Sequence, residues 1–355
     1  MKTLAELDSA KGNNFDAIRF VAATLVIYAH AYAVSGHAND ERLAGLTGFI
    51  GSGSLAVEIF FLVSGYLITR SLMQRDNLID FAEARVLRIF PALIICCAIS
   101  TFLLGVLVTT LPASEYLTHR QTWDYFLQNA SLVGVRWVLP GVFETNILKS
   151  VVNGSLWTLP IEFKMYAVMF ALGVASIALK RYRAVLVTLI IVGYLVFSFA
   201  TQTAQLASHI SDQSAPLVAF FLIGAMFYLT RKYVPVSTTL ALAMWGALLL
   251  ARGTFLAVPL YYAALSYSLL AIAFDTTFTV HRFAKYGDFS YGLYLYGFPV
   301  KQAIIFIAGS MSSSKLFLIA FPITLALAWL SWKFIEAPAL KRKGAISAYL
   351  KSRFS

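Results

Sequence analysis

Apolar positions in this chain do not alternate with polar ones at a strand period, nor do they form a narrow stripe. They gather into runs near 20 residues long, broken by short polar stretches. The runs fall at about Ala17–Val34, Leu55–Leu72, Ile89–Leu111, Leu156–Leu179, Ala184–Thr201, Ala215–Leu229, Thr238–Ala251, Phe255–Phe274, Tyr291–Ala308 and Leu316–Ile335. They predict an all-α, polytopic membrane protein of about ten transmembrane helices, because a bilayer core of ~30 Å takes roughly 20 helical residues to cross. Two connections are long. Met73–Arg88 carries three arginines, and Pro112–Gly154 carries Trp123, Tyr125, Phe126, Arg136 and Trp137. The second reads either as a functional outer loop or as an interfacial loop with its aromatics at headgroup level. No internal repeat is visible, which counts against a transporter built from inverted repeats.

Composition sharpens this reading. Of the 355 residues, 59% are apolar and 13% charged, about half the charge of a soluble domain. The net charge of +11 would raise nucleic acid as a partner in a soluble chain. Here it is explained by topology. With a cytoplasmic N-terminus, eighteen of the 28 basic residues fall in inner segments and six in outer ones, a positive-inside bias that places both termini in the cytoplasm and favours an even number of spans. The chain therefore reads as one membrane domain, 1–355, with a cytoplasmic segment at 1–15, an outer loop at 112–154 and a basic cytoplasmic tail at 336–355. Its first span reads as retained rather than cleaved. Membrane lipids are expected partners and nucleic acid is not. Cys96 and Cys97, adjacent in an apolar run, offer neither a disulfide framework nor a metal site. Asn129 and Asn153 stand in glycosylation-type triplets, which are too short to carry a function.

Four basic residues, Arg19, Lys164, Lys301 and Lys333, fall inside or at the edge of spans. A charge at membrane depth costs ~2.5–3.5 kcal/mol on the milder scale, so each asks for a partner or a role. Asp16, Arg19 and His30 share the first span. Arg19 and His30 are eleven positions apart, hence on one helix face and ~16 Å apart. His30 reads as a satisfied core histidine, a proton-relay group or a catalytic base. Glu58 in the second span and Glu162 in the fourth fall at a comparable depth, and a carboxylate beside an imidazole makes a plausible general base. Glu162 could instead lock helices by pairing with Lys164 or Lys301. Pro160 is expected to loosen the helix beside Glu162. On the cytoplasmic side, Arg85 and Arg88 can fork onto phosphates together with Arg19, or anchor the chain to anionic headgroups.

These residues stand in segments that resemble the membrane-bound acyltransferase 3 family, the O-acetyltransferases of bacterial surface and secreted glycans. Phe15-Asp-Ala-Ile-Arg19 through His30 is similar to the family's basic residue, ten positions, then histidine. Val57 through Ser64-Gly65-Tyr66 resembles its Phe-Phe-x-x-Ser-Gly segment, and Phe81 to Pro91 its Phe-x-x-x-Arg-x-x-Arg-x-x-Pro segment. Ser155-Leu-Trp157-Thr158 through Glu162 and Tyr166, then Ser290-Tyr291 through Tyr294-Leu-Tyr296, and Glu336-Ala-Pro338 resemble the remaining landmarks. The order of all six makes the likeness specific. Two positions depart: Thr158 stands where serine is common, and Gly297 where a histidine often stands, so that position supplies no acid or base. Gly297 and Pro299 are expected to break the ninth span.

The resemblance implies an acyl-CoA-dependent O-acyltransferase of the bacterial inner membrane. Acetyl-CoA, or another short acyl-CoA, would be the donor substrate, with no permanently bound cofactor and no metal. The acceptor would be a hydroxyl of a glycan such as O-antigen, exopolysaccharide or a lipid-linked sugar. His30 is the expected general base and Glu162 its orienting partner, with Glu58 as the alternative. Arg19, Arg85 and Arg88 are expected to bind donor phosphates. Asp16, Ser64, Trp157, Tyr166 and Tyr291 are expected in supporting or acceptor-binding roles, and Trp123 and Trp137 are further stacking candidates. The rival readings are a proton-coupled transporter or exporter with Asp16, His30 and Glu162 as relay, an inactive scaffold, and O-acylation of a small molecule.

Overall fold

The structure, a computed structural model, describes residues 1–9, 12–43, 50–74, 77–175, 188, 192–193, 214–275, 280, 283–345, 349 and 353. Among these there is no strand, only two isolated bridges, Thr3 to Pro235 and Val138 to Val151. The helices are α1 (Leu4–Ser9), α2 (Phe15–Val34), α3 (Ser52–Gln74), α4 (Leu78–Val108), α5 (Ala113–Thr118), α6 (Arg120–Ser131), α7 (Leu159–Ala175), α8 (Ser214–Thr230), α9 (Thr238–Leu250), α10 (Ala257–Ala273), α11 (Ser290–Ala308) and α12 (Ser313–Lys341). Five are long and apolar enough to cross a membrane: α2, α3, α4, α7 with the turn before it, and α12. Helices α8, α9 and α10 are apolar but shorter. At 13 residues α9 extends ~20 Å, less than a bilayer core. The expected span Ala184–Thr201 lies outside the described residues except at 188 and 192–193.

Two compact units form from interleaved stretches of chain. The first holds Met1–Arg19, Glu58–Leu78 and Met165–Tyr286. Its helices α3 and α8 touch backbone to backbone. A Cβ on Gly65 would lie 1.8 Å from the Phe221 carbonyl oxygen, and one on Gly224 would lie 2.1 Å from that of Leu62. Small residues give membrane helices the close approach that dispersion requires, since lipid supplies no hydrophobic push between them. Asn14 closes the far end of α10: its N–H donates to Ala273 O at 2.8 Å and its side-chain amide to Ile272 O at 2.9 Å. The Ala273 carbonyl at the helix terminus is thereby satisfied, and that of Ile272 gains a second donor beside Asp275 N. The N-terminal segment is bound along 231–236, with Leu4 N to Val234 O at 2.9 Å and an Asp8–Arg70 ion pair at 2.8 Å.

The second unit holds Phe20–Val57, Ile79–Lys164 and Gly287–Ser355. Here the long outer loop is a folded element. Tyr116, Tyr125, Leu139, Val142, Phe143 and Val152 form its buried apolar core. Helix α4 contains a π turn at Ile99–Leu104, a form that weakens the regular ladder. The Thr101 carbonyl accepts a hydrogen bond from Tyr116 Oη at 2.8 Å. Burial pushes the Tyr116 phenol far above its ordinary range, which keeps it a donor. Gly105 makes the contact possible, because a Cβ there would lie 2.0 Å from the phenol oxygen.

Helix α11 fastens the loop's return. Gln302 donates to Leu148 O at 2.8 Å and Val151 O at 2.6 Å, while Asn146 donates to Gln302 Oε1 at 2.8 Å. Contrary to expectation, α11 runs unbroken through Gly297 and Pro299. Pro299 has no N–H to give the Leu295 carbonyl, four positions earlier. Asn153 replaces it, its amide donating to Leu295 O at 2.9 Å. Asn153 is fully buried and Asn129 nearly so, so both triplets serve packing. Pro160 also differs from expectation: it stands in the first turn of α7, where its missing N–H breaks no bond.

Candidate active site

His30 projects from α2 into the second unit and is partly accessible. Its ring packs edge-on against Phe298 of α11 at 5.0 Å between centroids. Its Nδ1 lies 3.5 Å from Ser155 Oγ, a long contact of the kind that tightens when substrate binds. Ser155 belongs to the segment that Asn153 ties to α11, since Ser155 N donates to Asn153 Oδ1 at 3.0 Å. Tyr294 Oη donates to the Ser155 carbonyl and sits 2.5 Å from Thr158 Oγ1. One buried network therefore joins α11, the 153–158 segment and the imidazole. The threonine at 158, where the resemblance expects serine, still supplies the hydroxyl.

Glu162 lies one turn into α7 and acts electrostatically on the phenols of Tyr291 and Tyr294. The hydrogen-bond partner of His30 is Ser155 rather than Glu162, and its charged neighbour is Lys301. Neither lysine locks Glu162 in the way the sequence allowed. Lys164 is exposed, and the Lys301 ammonium has no hydrogen-bond partner among the described residues.

Arg85 and Arg88 stand on α4 before Pro91. Arg85 lies over the Phe81 ring at 5.1 Å. Arg88 is held by two carboxylates, Asp288 at 2.5 Å and Glu336 at 3.7 Å, and its guanidinium faces the Tyr291 ring at 5.7 Å. Asp288 in turn accepts from Ser290 N at 3.1 Å, which caps the start of α11, and Ser331 donates to Glu336 at 2.9 Å. Tyr291 Oη donates to Ile89 O at 2.9 Å. Three of the sequence landmarks thus meet at one ion cluster whose immediate work is to tie α4, α11 and α12 together.

In the first unit, Glu58 accepts a hydrogen bond from Tyr261 at 2.5 Å. Ser64 and Tyr166 also meet, hydroxyl to hydroxyl at 3.0 Å. Asp16 and Arg19 occupy the opening turns of α2 and are partly exposed. Of the tryptophans, Trp157 is partly buried in the turn before α7, while Trp123 is 46% and Trp137 38% exposed on the outer loop. Sequence reasoning did not assign Ser155, Tyr294 or Asp288 a role. Ser155 and Tyr294 lie in the motifs quoted above, but only the tertiary contacts distinguish them from their neighbours.

A helical membrane protein with a partly accessible histidine joined to a buried hydrogen-bonded network is the class that fold and site define. The chain belongs to the acyltransferase 3 family, whose acyltransferase-domain model matches residues 13–333. It is 32% identical to an O-acetyl transferase of Shigella phage Sf6 over 94% of this chain and 97% of that one. It is 28% identical to nodulation protein 10 of Rhizobium leguminosarum bv. viciae, covering 97% of each. To the O-acetyltransferase OatA of Staphylococcus aureus (strain MRSA252) it is 26% identical over 92% of its length, which spans 59% of that relative. No solved structure matches.

Proposed function

We propose that this chain is a multi-pass O-acyltransferase of the bacterial inner membrane, with ten spans and cytoplasmic termini, that moves an acetyl group from acetyl-CoA to a glycan hydroxyl. The observation that carries the reading is His30 itself, partly accessible and held between Ser155 and Phe298 in a family defined by acyl transfer. Its relatives' names add the acetyl group and the oxygen acceptor. In this reading the acceptor hydroxyl gives its proton to the imidazole as its oxygen attacks the thioester carbonyl carbon. A strong base is not needed, because thiolate leaves readily and the proton moves with the attack. Ser155 holds the ring, and Glu162 acts on it at one remove, through the Tyr294 phenol and the Ser155 carbonyl.

Donor phosphates fall to Arg85. Arg88 contributes by fixing the helix that carries Arg85, and meets phosphate only by releasing Asp288 or Glu336. Trp123 and Trp137 offer faces on which sugar rings stack. The test uses membranes of cells producing the chain, with radiolabelled acetyl-CoA as donor and glycans of the same cells as acceptor. Label should enter glycan as an alkali-labile ester, and His30→Ala should lower the rate on the order of 10²–10⁴-fold with unchanged protein level. Proton-driven solute flux without acetyl-CoA consumption would replace this reading with that of a transporter.

A further inference from the structure

Lys301 lies in the middle of α11. It is wholly buried, and its Nζ has no hydrogen-bond partner among the described residues. An amine enclosed in this way has lost its hydration without replacement, and buried donors without partners are exceptions that ask for a cause. In a membrane span, which the sequence predicts over Tyr291–Ala308, such a group defaults to a functional one.

Its position supplies the cause. Lys301 follows Gly297 by four residues, one turn along the same face of α11. A Cβ on Gly297 would lie 3.5 Å from the lysine Nζ and 2.9 Å from Ile27 Cγ1 of α2. The ammonium therefore reaches back into the seam between α11 and α2, using space that a side chain at 297 would fill. Ile27 precedes His30 by three residues and so shares its helix face. A buried donor with spare hydrogen bonds thus lies in the α2–α11 seam, one helix turn from His30, whose ring is partly accessible.

We infer that Lys301 is a second catalytic residue, whose ammonium donates a hydrogen bond to the acyl carbonyl oxygen as negative charge develops there. The inference rests on the acyl-transfer reading above. In the step it serves, the hydroxyl O–H bond breaks and its proton passes to His30, while the new C–O bond forms at the thioester carbon. The carbonyl π pair moves onto oxygen, where Lys301 holds it. When that pair returns, the C–S bond breaks, and the leaving thiolate of CoA takes the proton back from His30. Preorganised donors aimed at such an oxyanion commonly give the largest single contribution to acyl transfer.

Purified full-length chain in detergent, with acetyl-CoA and a panel of methyl glycosides as soluble acceptors, tests this. Lys301→Met keeps the length of the side chain and removes its charge. Its kcat should fall on the order of 10²-fold or more, with KM for acetyl-CoA within about threefold, as a transition-state contact requires. Its thermal midpoint should stay level or rise, since an unpaired buried polar group has gone. Lys301→Gln, which retains a neutral donor, should keep more of the rate and stands in if Lys301→Met does not accumulate. A kcat within threefold of the parent overturns the inference. So does a loss confined to acceptor KM, which would make Lys301 an acceptor-binding group, and so does a fall in midpoint in both variants that tracks their activity loss, which would make it structural. A parent chain that transfers no acetyl, and is matched by His30→Ala, defeats the transferase reading and this inference with it. Failure of the lysine role alone leaves the dependence on His30 intact.

Discussion

The substitution of a side-chain amide for a missing backbone N–H in α11 can be tested quantitatively. Pro299 leaves the Leu295 carbonyl without its helical donor, and Asn153 Nδ2 fills the vacancy at 2.9 Å. Both Asn153 and Leu295 are fully enclosed, at 0% exposure. Asn153→Ala therefore leaves a carbonyl that water cannot reach with only the weak Cys96 thiol donor at 3.5 Å, at a cost of about 1–3 kcal/mol. The same change frees Ser155 N, which Asn153 Oδ1 accepts at 3.0 Å, and this puts the expected loss in the upper half of that range. Pro299→Ala restores an N–H one turn from Leu295 O. In the wild-type background that N–H has to share an acceptor that Asn153 occupies, whereas in the Asn153→Ala background it shares the carbonyl only with the long Cys96 thiol contact. The two losses should thus be non-additive, with Pro299→Ala recovering about 1 kcal/mol in the double variant. The assay is the thermal midpoint of the four proteins in one detergent, where 2 kcal/mol corresponds to a shift on the order of 4 °C. Strict additivity of the midpoints would refute the exchange of donors, and an unchanged midpoint in Asn153→Ala would refute the buried bond itself.

Other outcomes follow from the same geometry. Arg88→Met strips the counter-charge from Asp288 and Glu336, whose side chains are 13% and 3% exposed. It should lower stability by about 3 kcal/mol; a midpoint like the parent's, together with tenfold weaker binding of acetyl-CoA, would return Arg88 to the donor site. Gly224→Val should prevent the α3–α8 approach, since even a Cβ would lie 2.1 Å from Leu62 O; normal yield of monodisperse protein in detergent would contradict that contact. Tyr116→Phe removes the hydrogen bond to Thr101 O at the π turn and should cost about 1 kcal/mol, read as faster proteolysis of the outer loop, while unchanged cleavage would show the loop to be held elsewhere. Ser155→Ala should reduce acetyl transfer less than His30→Ala does, by about tenfold, and equal losses would make Ser155 more than a support for the ring.

Much of this protein was legible in order of residues alone. Runs of apolar residues announced helices in a membrane, because a bilayer admits few other ways of satisfying backbone N–H and C=O groups. Six segments in sequence announced the family, and the ionisable residues isolated in apolar runs marked where to look for chemistry. His30 is one of them, and Lys301 was visible as a basic residue in a span. Yet a run of 20 apolar residues has no preferred face, so the sequence cannot say which neighbour a given side chain meets.

The pairings were therefore decided by tertiary structure. His30 meets Ser155 and Phe298, and the Lys301 amine is enclosed in the neighbouring seam between α11 and α2. Arg88 is engaged by Asp288 and Glu336, residues 200 and 248 positions away in the chain. Pro299, which locally reads as a break, is made tolerable by Asn153, and an unbroken α11 follows. Sequence fixes which groups must be removed from water, because that cost belongs to each residue separately. Which partner offsets the cost depends on distance and direction across helices, and these exist only once the chain has folded.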